Sequence, residues 1–273
     1  MKIVIWTGAA WEPWGPPSLE AGGIGGSETA AIQIGRELAT LCGHEVVMVG
    51  QHEGFEGEYS SFHTYQNFGA RKVTYLHYDK AIADRGLLDC DVFVSSRDKR
   101  AVRLLPNCRA KVLWVHVVHV GDDGDNDVIW FDRVYCLSKW HKGYFEGMYP
   151  HAESDKIRVT RNGIDLMRFK PQMSWAGLAA RKRPKFVYSS SPDRGLDVLL
   201  DLWPEVRRIR EDAELHVYYG FDNWKKLNAQ NKKGLTIVEY MEGRVRSMEA
   251  ERVFYHGRVG QKELAEAYLD SQI

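Results

Sequence analysis

The sequence predicts a doubly wound α/β fold built from two Rossmann-like units, on three observations. Short apolar runs alternate with amphipathic helical stretches along the chain. Several of these runs are near-continuous and not alternating, the pattern of parallel strands covered on both faces. The alternation breaks at 165–185, where "FKPQMSWAGLAARKRPK" holds two prolines and a basic cluster, and then resumes. That seam sets a first domain over 1–170 and a second over 171–273.

In the first domain the strand-like runs are 2–6, 45–50, 73–78, 92–96, 111–118, 133–137 and 157–160. In the second they are 185–190, 215–219 and 252–256. A helix is predicted over 27–41, with Ala30, Ile34, Leu38 and Leu41 on one face and Gly43 as its stop. Another is predicted over 195–211. The second domain offers three strands and ends on "KELAEAYLDSQI", inside a helical pattern. A three-stranded open parallel sheet leaves bare edges and little core, so this domain reads as incomplete.

The composition narrows the function classes. With 44% hydrophobic and 27% charged residues the chain reads as a soluble globular protein. Lys+Arg and Asp+Glu balance at 37 each, which argues against wholesale nucleic-acid binding. No apolar run is long enough to cross a bilayer, and "KIVIW" is too short for a signal peptide, so a cytoplasmic protein is expected. Cys42, Cys90, Cys108 and Cys136 form no CxxC pair and read as reduced thiols, with no metal and no cofactor expected. Trp11 and Trp14 leave three roles open: stacking on an acceptor sugar, peripheral membrane contact, or packing on the sheet.

The stretch "AGGIGGSETAAIQIGRELATLCGHEVVMVG" follows the first strand. Gly22, Gly23, Gly25 and Gly26 precede a helix starting at Ser27, which places bare backbone N–H groups at a sheet's carboxyl edge. That geometry receives phosphates or sugar hydroxyls. Glycines serving only the turns of a surface loop are the alternative. A dinucleotide fingerprint counted from Gly23 and Gly25 would need a glycine where Glu28 stands. His116 ends an apolar run, where doubly wound sheets place ligands, and His119 competes with it for that role. Asp122, Asp123 and Asp125 form the acidic loop that follows, a solvated turn or a place to orient an acceptor hydroxyl. Ser138 follows a strand and either caps the next helix or meets ligand. Asn162 and Gly163 make a tight turn.

The glycine stretch resembles the opening of retaining glycosyltransferases of family 4, which have the GT-B fold. Further segments arrive in that family's order: "VLWVHVVH", "RVYCLSKWHKGYF", "IRVTRNGIDLMRFKP", "FVYSSSPDRGLDVLLDLWPEVRRIREDAELHVYYG" and "RVFYHGRVGQKELAEAYLDSQI". The resemblance implies two Rossmann-like domains facing a cleft, the second incomplete. It implies metal-independent transfer of a hexose-type sugar from a nucleotide-diphosphate donor to a saccharide, lipid or small-molecule hydroxyl, with retention. The glycines would face the sugar–phosphate and the acceptor, and His116 would bind the donor sugar. Arg194, before Gly195 at a helix start, would clamp the phosphates. Ser189 and Ser190 stand where the family has a second basic residue. Gly257 and Val259 would lie near the base. The family's Glu-x7-Glu element has no match in this sequence. Two rivals follow: a non-catalytic protein that binds nucleotide-sugar or a partner, and another Rossmann-type sugar-nucleotide enzyme, which the missing G-x-G-x-x-G disfavours.

Overall fold

The computed structural model describes residues 1–60, 71–104, 108–118, 120, 126–166, 168–169 and 184–271. In chain order the elements are β1 (Lys2–Gly8), α1 (Ser18–Ala21), α2 (Gly26–Thr40), β2 (Glu45–Gly50), β3 (Gly57–Ser60), β4 (Lys72–His77), α3 (Tyr78–Ala83), β5 (Val92–Ser96), β6 (Ala110–Trp114), β7 (Arg133–Cys136), α4 (Lys139–Met148) and β8 (Ile157–Val159). There follow β9 (Lys185–Tyr188), α5 (Leu196–Ile209), β10 (Glu214–Val217), α6 (Asp222–Asn228), α7 (Lys232–Ser247), β11 (Val253–Tyr255) and α8 (Gln261–Asp270). Two compact units result: 1–17 with 24–164, and 18–23 with 165–273. The six residues before Ile24 thus group with the second unit, which local periodicity gives no means to foresee.

The first unit's sheet runs β3-β4-β2-β1-β5-β6-β7-β8, parallel throughout except for β3. Strand β3, "GEYS", has no apolar run and forms by pairing antiparallel along the edge of β4. The predicted strand over 111–118 ends early: β6 stops at Trp114, and Val117 and Val118 are exposed in a bend. Val115 N–H still donates to Tyr135 O (2.9 Å), but β7 supplies no neighbour beyond Cys136.

The register fixes which side chains share a face. Ile5 pairs with Met48 on one side and Val94 on the other, and Val94 pairs with Val112. Helix α2 covers this face, because a Cβ at Gly35 would sit 3.1 Å from Met48 Cε and 3.7 Å from Val46 Cγ1. The buried stripe of α2 is Ala31, Ile32, Gly35 and Ala39, not the predicted one; Ile34 and Leu41 are exposed. Small residues at i, i+4 and i+8 let the helix backbone approach the sheet closely, and that outweighs the larger side chains on the other stripe. The opposite face carries Val4, Trp6, Val47, Val49 and Phe93.

The second unit has a parallel sheet ordered β11-β10-β9. One face is covered by α5 and α7: Leu200, Trp203, Leu215, Val217, Val238, Met241 and Val253 form one core. Trp203 is fully buried and its Nε1–H donates to Glu251 O (2.9 Å).

Candidate functional site

In the first unit the connection order reverses between β1 and β5, since β2 and β4 lie on one side of β1 and β5 to β8 on the other. Open α/β sheets bind ligands outside the carboxyl ends of their strands at such a point. On the α2 face, apolar Ile5, Val94 and Val112 give way two residues later to Thr7, Ser96 and Trp114, and His116 follows on β6's extension. Thr7 is satisfied by Val49 O (3.2 Å). Ser96 is 1% exposed, and its Oγ has no hydrogen-bond partner among the described residues. His116 Nε2 is buried and equally unpaired. Its ring stands edge-on to Trp114 at 4.1 Å between centroids.

Two residues that the sequence did not single out complete this edge. Arg97 Nη2 donates to Glu28 Oε1 at 2.6 Å, and Ser27 Oγ donates to Glu28 Oε2 at 3.0 Å. The Glu28 side chain is 10% exposed and that of Arg97 25%. Arg97 has φ 71°, a left-handed conformation that costs a non-glycine residue of order 1–3 kcal/mol and clusters at functional sites. A Cβ at Gly25 would overlap Glu28 Oε2. The cue present in the sequence was "SSRDK" at the carboxyl end of a central strand. Burial pushes His116 down to about 4, the Arg97 cation pushes the same way, and Glu28 opposes both. His116 is therefore neutral at pH 7. Neighbouring His141 is held in one tautomer: Nδ1 accepts from Leu137 N–H (3.3 Å) and Nε2–H donates to Val117 O (3.2 Å). Lys99, wholly buried, lies 4.9 Å over the Tyr149 ring.

The other predicted groups of this unit have different surroundings. Ser138 caps α4, with Oγ accepting from His141 N–H at 3.0 Å. Asn162 and Gly163 stand exposed. Gly26 opens α2 with nothing within 4 Å of a Cβ. Trp14 is in the core, edge-on to His52 and Tyr75, while Trp11 is 71% exposed. His119, Asp122, Asp123 and Asp125 lie outside the described residues.

In the second unit Gly23 and Val259 come together. Gly23 has φ 70°, a Cβ there would sit 2.8 Å from Val259 O, and Arg258 Nη2 donates to Gly23 O at 2.7 Å. Glu20 accepts from Lys262 N–H (3.3 Å) at the start of α8 and pairs with Arg168 (2.6 Å). Gly22 has nothing within 4 Å of a Cβ. Gly195 precedes α5 with φ 93°, and its carbonyl accepts from Leu199 N–H. Arg194 is exposed on that turn, its N–H donating to Ser191 O (2.9 Å). Tyr188 Oη also donates to Ser191 O (2.7 Å), and Ser190 is half-buried in the same loop. On the sheet face away from α5, Arg252, Glu214, His216 and His256 form a chain, with His216 Nδ1 2.9 Å from His256 Nε2. Tyr218 stacks on His256 at 4.2 Å.

Among the described residues no group of three or more His, Cys, Asp or Glu side chains could hold a metal ion, and no helix is long and apolar enough to cross a membrane. No protein-family model matches this sequence, and no curated protein matches it. Solved structures do. A glycosyltransferase from Rickettsia africae is 12% identical, with 99% of this chain and 71% of that one covered and a TM-score of 0.60. HepE from Anabaena, solved with UDP-glucose, is 14% identical over 97% and 71%, with a TM-score of 0.59. A trehalose-6-phosphate synthase from Burkholderia multivorans is 12% identical over 98% and 75%, with a TM-score of 0.57. At such identities the likeness is one of fold, and the fold of this chain is that of the GT-B glycosyltransferases.

Proposed function

We propose that this chain belongs to a retaining, metal-independent glycosyltransferase of the family 4 type, which moves a sugar from a nucleoside diphosphate to a hydroxyl acceptor. The observation that carries the reading is the first unit's polar edge, where Ser96 Oγ and His116 Nε2 are buried and have no hydrogen-bond partner among the described residues, at a topological switch point. Buried polar atoms without partners are costly, and hydroxyl groups of a ligand would satisfy them. His116, kept neutral by burial, would bind a sugar hydroxyl. Arg194 would take the diphosphate, where a guanidinium offers two parallel donors to phosphate oxygens. Negative charge grows there as the bond from the anomeric carbon to the phosphate oxygen breaks, so a fixed cation helps most in the transition state. In the front-face route the acceptor oxygen bonds the anomeric carbon, and its proton passes to the departing phosphate oxygen.

HepE was solved with UDP-glucose, so UDP-glucose is the first donor to test. Thermal shifts against UDP, GDP and their sugars would find the base, since a ligand that prefers the native state raises its melting temperature. Transfer of labelled sugar to an acceptor panel would follow, with the anomeric product read by NMR. Ligand binding without transfer or donor hydrolysis would favour the non-catalytic alternative. Stabilisation by NAD but by no nucleoside diphosphate would overturn the reading.

A further inference from the structure

The Glu28–Arg97 pair sits where the start of a helix would otherwise meet an anion. We propose that Glu28, held by Arg97, makes this edge of the first unit selective for neutral hydroxyl groups, its own carboxylate taking the place that an incoming phosphate or carboxylate would occupy.

Glu28 is the third residue of α2, and Oε2 fills the space that a Cβ at Gly25 would need. A carboxylate in the first turn already balances the positive end of the helix. A second anion there would face the Glu28 carboxylate, whose side chain is 10% exposed, and like charges repel the more strongly the less water screens them. Arg97, the nearby cation, is engaged by Glu28 at 2.6 Å. The atoms of this edge that lack partners among the described residues, Ser96 Oγ and His116 Nε2, are both neutral. Each can exchange a hydrogen bond with a hydroxyl in either direction, whereas an anion can only accept. On this view Gly25 is a glycine because Glu28 needs its space, not because a ligand does.

The inference rests on the sugar-transfer reading only in taking this edge as a binding site, and its test reads anion binding alone. The full chain carrying Arg194→Gln, which removes the expected phosphate contact of the second unit, is titrated with inorganic pyrophosphate. Calorimetry and the amide NMR signals of Gly25, Gly26 and Ser27 report the result. With Glu28 present those amides should not respond at millimolar pyrophosphate. Adding Glu28→Gln should produce saturable shifts at the same amides and a gain in affinity of about tenfold or more. Glu28→Ala provides a second variant, each checked for folding by circular dichroism. Equal binding at these amides with and without Glu28 would overturn the proposal. So would the absence of any gain in both folded variants. Neither result depends on whether sugar transfer is observed.

Discussion

Replacing Gly23 by alanine separates a glycine required by the fold from one kept for a ligand. Gly23 has φ 70°, a region where an L-residue costs about 1–2 kcal/mol relative to its preferred backbone. The new Cβ would lie 2.8 Å from Val259 O, a backbone atom that cannot rotate away. Relieving such overpacking costs about 1–3 kcal/mol. The sum, roughly 2–5 kcal/mol, falls on the second unit, where Arg258 Nη2 ties to Gly23 O at 2.7 Å. For a domain of this size that predicts a fall of order 10 °C in its melting temperature. Gly26→Ala is the internal control. It meets nothing within 4 Å, its backbone is ordinary, and alanine in a helix should be neutral or stabilising by up to about 1 kcal/mol. Differential scanning calorimetry on both variants resolves the two units. A Gly23→Ala chain that melts with wild type would refute this account of the loop, because neither the left-handed backbone nor the carbonyl contact would then matter.

Other expectations follow from the same geometry. His52, fully buried with Nδ1–H donating to Trp14 O at 2.8 Å, is pushed down to about 4 by burial. Its folded pKa lies below its unfolded value of 6.5, so its contribution is present above pH 6.5 and is lost as pH falls towards 4. His52→Phe should flatten that acid limb of the first unit's stability curve, as measured by urea titration from pH 7 to 4. His116→Ala should weaken binding of the nucleotide-sugar by about 10-fold or more while leaving nucleoside diphosphate affinity nearly unchanged, a split that calorimetry with the two ligands would reveal. Ser138→Ala removes a cap and should cost about 1 kcal/mol in stability without changing either affinity; a loss of affinity would assign Ser138 to the ligand after all.

The sequence by itself determined the elements whose cause is local. Near-continuous runs such as "KIVIW" and "EVVMVG" became parallel strands β1 and β2, because a strand buried on both faces has no polar side to display. It also placed His116 within two residues of a strand end and the start of α2 within one residue of its onset at Gly26, since strand and helix signals are written in neighbouring residues. Tertiary structure decided what depends on distant partners. Strand β3 exists only because β4 pairs with it. The stripe of α2 facing the sheet is chosen by close approach at Gly35, which hydrophobicity along a helix does not measure. Gly22 and Gly23 group with the second unit, whereas Gly25 and Gly26 belong to the first. Glu28 and Arg97 are 69 residues apart, and only the adjacency of β1 and β5 makes them a pair. Periodicity reports which way a side chain faces, but the charge it will meet there is set by packing across the sheet.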